Sequence, residues 1–379
     1  MSSDLVRLGD IATYINGYAF KPEDRGKQGL PIIRIQDLTG NSYDLGFYNG
    51  KYPEQIEIND GDILISWSAS LGVYVWNRGK ALLNQHIFKV MFNKKPIDKK
   101  YFVFAIKNQL RNMEKKAHGA TMKHIVKSDF EETIIPYPLL ETQRIVAEKL
   151  SLVENIIELR KKELLQLDNL VRGRFVELFG DVKQNPFGWN ISSIGEVISL
   201  CEAGWSGNGT QRKKNDGEVA VLKVSAVTKG YFIPEECKVL DDQNTIKKYV
   251  FPEAGDLLFS RANTREMVGA TAVITQDYPE YILPDKLWKV RFIDTVNVWY
   301  MKYILSSESV RSIFSSVSTG TSGSMYNVSM EKFKTIVIPL PPLELQQQFA
   351  DFVKQVNKSK VAVQKEQGYC NVIVMLLQC

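Results

Sequence analysis

Apolar residues recur in this 379-residue chain at two different periods. From Glu141 to about Phe179 they step by four and three, through Val146, Leu150, Val153, Ile157, Arg160, Leu164, Leu167, Val171, Arg174 and Leu178. Eight of these ten are apolar, the stretch has no proline, and its first glycine is Gly173. A seam sustained over more than four heptads predicts one long helix that needs a partner helix along it. Leu152, Ile156, Leu159 and Leu170 widen the apolar face. A helix of about 38 residues is roughly 57 Å long, too long for one small domain, so it reads as a spacer. The spacing returns after Glu344 at Phe349, Val353, Val356, Lys360 and Val363, with Lys360 as a polar intrusion. The expected arrangement is an antiparallel coiled coil. Beyond Gly368 the stretch YCNVIVMLLQC is apolar but loses the charge pattern, so an atypical end is expected there.

Elsewhere the apolar runs are short and β-branched: Pro31–Ile35, Ala81–Val90, Val219–Val224 and Gly269–Ile274. Each predicts a strand. These features come in the same order twice. GDILISW (Gly61 to Trp67) matches GDLLFSR (Gly255 to Arg261), and Gly-Asp makes the bend before each strand. The loop AHGATMKH (Ala117 to His124) matches STGTSGSMY (Ser318 to Tyr326). SDFEETIIP matches EKFKTIVIP, and IIPYPLLETQ (Ile134 to Gln143) matches VIPLPPLELQ (Val337 to Gln346). Each unit opens on VRLGDIATYINGYAF or ISSIGEVISLCEAGW. The chain is a tandem duplication of an α+β domain with a mostly antiparallel, irregular sheet. The boundaries read 1–140 and 181–340 for the two domains, with helical spacers at 141–180 and 341–379.

Composition narrows the chemistry. Net charge is +5. The excess sits in residues 1–140, with 19 basic and 15 acidic side chains, while 181–340 balance at 18 each. A nucleic-acid surface would therefore be a local patch. The four cysteines (Cys201, Cys237, Cys370 and Cys379) form no C-x-x-C pair, so neither zinc nor a disulfide framework is expected. His118 and His124 are six apart, which does not suit two ligands on one helix face. The opening MSSDLVRLGD has no signal-peptide pattern and no apolar run approaches a membrane span, so the expectation is a cytoplasmic protein. Catalysis lacks its parts. No G-K-S/T follows the glycines of WSGNGTQRKKNDG, so there is no P-loop. The Asn-Pro at Asn185 lacks the second proline of an amino-methyltransferase motif. Asp62 and Asp256 have no acidic-x-Lys partner nearby. Catalytic residues, metal and cofactor are all expected to be none.

The tandem order resembles the specificity subunit of Type I restriction–modification systems. It rests on the LGD start, the GDILIS strand, HGATMKHI, IPYPLLETQ, the long helix, NPFGW (Asn185 to Trp189) and then the cycle again. That resemblance implies two similar target recognition domains separated by long helices. It implies a non-catalytic chain that reads a bipartite sequence in double-stranded DNA. Its implied partners are two methyltransferase subunits and restriction subunits. A solitary recognition protein or regulator without restriction partners is the alternative. Base reading needs Arg, Lys, Asn or Gln at base edges and more cations on phosphates. Unit one offers Arg34, Gln36, Gln85, His86, Thr121 and Lys123, with Trp67 read as a packed aromatic beside Ser68. Unit two offers Arg212, Lys213, Lys214, Lys223, Ser225, Arg261, Asn263, Arg265, Lys286, Ser324 and Tyr326. Lys94, Lys95, Lys99 and Lys100 flank Pro96 in what reads as a solvated turn.

Overall fold

The structure is a computed structural model and describes residues 4–42, 44–116, 125–215, 217–317 and 326–377. The chain forms two compact units, one from residues up to 161 together with those from 365 onward, the other from 162 to 364.

Each unit holds two four-stranded sheets of related topology. In the first unit an antiparallel sheet runs Thr13–Asn16, Ile87–Met91, Ile63–Ser66, Gly72–Val75. In the second the order is Ile198–Ala203, Leu287–Phe292, Leu257–Ser260, Thr271–Val273. The GD strand is therefore central both times and buried at all four positions. The Gly-Asp bend before it needs a left-handed backbone, with φ of 88° at Gly61 and 90° at Gly255. The aspartate caps that bend. Asp62 accepts from the Asn59 N–H at 2.8 Å and Asp256 from the Glu253 N–H at 2.7 Å. A lysine of the neighbouring strand meets each carboxylate, Lys89 at 3.1 Å and Lys289 at 3.3 Å. Both GD carboxylates are thus used by the fold.

The other sheet is mixed. Leu30–Ile33 lies parallel to Ala81–Leu83, as Ala220–Leu222 lies parallel to Tyr281–Ile282. Its outer strands differ between the units: Glu57–Ile58 edges the first, Gly209–Thr210 the second. The apolar run 81–90 is thus two strands in two sheets. It breaks at His86, whose φ is 73°. A third pairing closes each unit, Leu5–Arg7 with Ile134–Pro136 and Asn190–Ser193 with Val337–Leu340.

The long helices span Leu140–Phe179 and Leu343–Leu377. Glu141 and Glu344 sit in their first turns, where the helix dipole favours a carboxylate. The first helix stops at Gly180, which takes φ 76° and donates its N–H to the Val176 carbonyl at 2.8 Å. Each helix gives one end to each unit. In the first unit Ala147 and Leu150 are buried against Tyr101 and Phe104, and Val146 and Val374 pack on the same cluster. There Arg160 pairs with Glu366. In the second unit Val171, Phe175 and Phe179 share a core with Phe349, Val353 and Val356, the Phe175 and Phe349 rings 5.4 Å apart. There Lys360 pairs with Asp168 at 2.6 Å. As residue numbers rise along one helix they fall along the other, so the pairing is antiparallel. Val153, Ile157, Leu164 and Leu167 are half-buried on this seam and Val363 is buried. Leu152, Leu159 and Leu170 are exposed.

Candidate nucleic-acid interface

The same backbone frame stands at the end of both GD strands. In the first unit the Trp67 N–H donates to the His86 carbonyl at 3.2 Å, and the Ile125 N–H donates to the Trp67 carbonyl at 2.9 Å. In the second the Arg261 N–H donates to the Lys286 carbonyl at 3.1 Å, and the Val328 N–H to the Arg261 carbonyl at 2.9 Å. The opening segment of each unit lies against this frame. Tyr18 N–H donates to the Leu83 carbonyl and Trp205 N–H to the Leu283 carbonyl, both at 2.9 Å. That approach requires glycine just before each aromatic. A Cβ on Gly17 would meet the Asn84 carbonyl oxygen at 2.0 Å, and one on Gly204 the Leu283 carbonyl oxygen at 1.8 Å.

The side chains on this shared frame differ. In the first unit the Trp67 indole stacks on Phe88 at 5.7 Å, meets His86 edge-on at 4.8 Å, and donates its Nε1–H to Asn16 Oδ1 at 3.2 Å. His86 Nδ1 and Asn84 Oδ1 are buried polar atoms without a hydrogen-bond partner. A non-glycine residue in the left-handed region stores strain of about 1–3 kcal/mol, and such residues cluster at binding sites. In the second unit Arg261 donates Nε–H to the Asp285 carbonyl at 3.0 Å, with its guanidinium 3.7 Å from the Asp285 carboxylate. Asn263 and Tyr326 are cross-strand partners beside it. Arg265 is exposed on the following turn.

The remaining candidates divide into residues held by the fold and residues left at the surface. Arg34 grips Asp37 at 3.0 Å and the Asp44 carbonyl. Burial works to raise the Asp37 carboxyl, and hydrogen bonds from Arg34 and Ser42 outweigh it, leaving its pKa below the ordinary value. Gln36 is exposed on the next turn, and Gln85 is half-buried beside His86. Lys223 pairs with Glu236 at 2.8 Å and Ser225 Oγ donates to the same carboxylate at 2.6 Å. Arg212 makes a two-pronged contact with Glu218, at 2.8 and 2.6 Å, and pulls that carboxyl down to about 2. Lys213 is exposed and Lys214 half-buried on the same loop. Thr121, Lys123 and Ser324 lie outside the described residues. Lys94, Lys95, Lys99 and Lys100 line an open cleft of about 850 Å³ with Arg144. It sits at the far end of the strand Ile87–Met91 from His86.

The candidate surface thus comprises Trp67, Gln85 and His86 in one unit and Arg261, Asn263, Arg265, Lys286 and Tyr326 in the other. Sequence reasoning passed over Asn16, Tyr18 and Trp205. The available signal was a glycine followed by an aromatic at the same place in both repeats. Among the described residues no group of three or more His, Cys, Asp or Glu could hold a metal ion, and no described helix is long and apolar enough to cross a membrane.

Comparison with known proteins gives a consistent picture. The family model for the Type I restriction modification DNA specificity domain matches twice, at residues 3–169 and 186–368. The chain is similar to the MjaVIII specificity subunit of Methanocaldococcus jannaschii, 24% identical over 376 residues, covering 93% of this chain and 86% of the relative. It is similar to the EcoKI specificity subunit of Escherichia coli K12, 24% identical over 395 residues, covering 95% and 83%. Against the EcoBI specificity subunit of Escherichia coli it is 28% identical over 170 residues, 44% of this chain and 35% of that one. In fold it matches the S subunit of a Type I restriction–modification system from M. genitalium, with a TM-score of 0.55 at 14% identity over 99% of this chain and 94% of that one.

Proposed function

The chain belongs to the Type I restriction modification DNA specificity family, and from that premise we propose that it is the non-catalytic DNA-recognition subunit of such a system. Residues 1–140 and 181–340 act as target recognition domains, each reading one half of a bipartite sequence in double-stranded DNA. The helical segments 141–180 and 341–379 set the unread gap between the halves. Methyltransferase subunits, two per complex, and restriction subunits assemble on this chain in the cytoplasm and carry the chemistry.

The observation that supports this reading best is the twice-built frame. The hydrogen bonds around Trp67 and Arg261 correspond one for one, while the side chains they carry do not. A protein that needs two different sequences read in one way has a use for one backbone holding two side-chain sets. Base contacts are assigned to Gln85 and His86 in one domain and to Arg261, Asn263, Lys286 and Tyr326 in the other. Arg265, Lys213 and Lys214 serve the phosphates, where binding weakens with salt. Arg34, Gln36, Lys223, Ser225 and Arg212 shape the surrounding loops. The test is reconstitution with S-adenosylmethionine. The chain alone transfers no methyl group, and added methyltransferase subunits methylate a split site. Methyl transfer by the purified chain alone would overturn the reading.

A further inference from the structure

We propose that the glutamine of each Leu-Glu-x-Gln segment is a positioning residue. Gln143 and Gln346 lock the recognition domain of their own unit to the first turn of the long helix that follows, and so define the length of the unread gap. The inference rests on the DNA-recognition reading above.

Both glutamines are buried, at 1% and 0% exposure, although each lies in the first turn of a long helix and is followed by an exposed residue, Arg144 or Gln347. Gln143 Oε1 accepts from the Asp98 N–H at 3.0 Å, and its Nε2 donates to the Pro138 carbonyl at 2.8 Å. Gln346 Oε1 accepts from the Asn297 N–H at 2.8 Å, and its Nε2 donates to the Pro341 carbonyl at 2.8 Å. Asp98 and Asn297 hold the same place. Each directly precedes a domain helix, Lys99–Lys116 or Val298–Ser306. Each accepts from an N–H of that helix, Tyr101 or Trp299, at 2.9 Å. The glutamine thus satisfies the cap residue's own N–H, a task that a capping box gives to the same helix. Here it comes from another element. A second contact crosses the same joint: Tyr101 Oη–H donates to the Pro136 carbonyl at 2.9 Å and Tyr300 Oη–H to the Pro339 carbonyl at 2.6 Å.

Burying a carboxamide is unfavourable unless it is fully hydrogen-bonded. An apolar side chain would fill the same space without a preferred angle. The amide ties three elements in one geometry: the exit of the last strand, the start of the long helix and the cap of the domain helix. The joint is the same in both units, while the side chains at their reading ends differ. A reader that can be exchanged on a fixed mount needs that combination.

The test uses the full chain with the methyltransferase subunits of its system and a library of split sites whose gaps vary. The complex built on the wild-type chain methylates one gap length. With Gln143→Leu or Gln346→Leu, methylation at gaps one base pair longer or shorter rises by about tenfold relative to the preferred gap, as expected for losing buried hydrogen bonds. Both half-sequences stay unchanged. Gln143→Glu keeps the acceptor for Asp98 and is intermediate. Tyr101→Phe and Tyr300→Phe, which remove a hydroxyl alone, broaden the gap in the same direction. A wild-type gap profile in all these variants, or an altered half-sequence, overturns the proposal. If the wild-type complex methylates no split site, the functional reading fails instead. The joint is then tested on the chain alone: amide exchange at Asp98 accelerates in Gln143→Leu, and unchanged exchange refutes it.

Discussion

Gly17 and Gly204 show how much of this interface depends on atoms that are missing. Neither takes a left-handed backbone; each is glycine because a backbone carbonyl just past a strand stands where a Cβ would be. The aromatic that follows is thereby pressed onto the reading frame. His86 is the complementary case, a side chain retained at a strained φ of 73° with an unpartnered Nδ1. The substitution that isolates its role is His86→Gly, which suits that φ and removes only the imidazole. Its expected effect is a loss of about 1–3 kcal/mol of discrimination at one half of the target, with the other half untouched. Arg261→Ala should relax the opposite half by a similar amount. Competition binding against single base-pair variants reads both, and a change at both halves from either substitution would contradict the assignment. At this scale the sequence offers candidates of two kinds and does not separate them. Arg34 and Arg212 look like free cations in a string of letters. In space they are held by Asp37, three residues on, and Glu218, six residues on, and a carboxylate that close in the chain becomes a partner only once the local turn is known.

Among the elements, the long helices were the most legible. Their period is local, and the polar residues on the seam, Arg160, Arg174 and Lys360, each find a carboxylate, Glu366, Glu177 and Asp168. The second helix also runs through Gly368 to Leu377, and Val374 packs beside Leu150, so its unusual composition does not end it. The sheets were less legible. The run 81–90 reads as one strand, yet its polar triplet Asn84, Gln85 and His86 marks where one strand ends at Leu83 and the next begins at Ile87. The parallel pairings join strands tens of residues apart, which periodicity cannot report. The element-scale prediction follows from the antiparallel register. Seven residues inserted after Glu163, matched by seven after Val363, extend the pair by about 10.5 Å. At about 3.4 Å per base pair, the preferred gap should grow by about three base pairs. Gel-shift selection on split sites of varied gap checks this, and an unchanged gap would refute the spacer role.

For the molecule as a whole, the duplication is the organising fact, visible in the letters and repeated in sheet order, GD ion pair, reading frame and glutamine joint. IPYPLLETQ is written twice because it ends a domain's last strand, starts a long helix and fixes the two together. The central claim is that two independent readers share one chain and that catalysis belongs to others. The most direct measurement is long-read detection of methylated bases in a host carrying this chain with its methyltransferase genes, compared with a chimera in which residues 185–340 come from another family member. The account predicts a split target with a constant gap, of which the chimera changes one half and keeps the other. An unsplit target, a chimera that changes both halves, or the same methylation without the methyltransferase genes would contradict it.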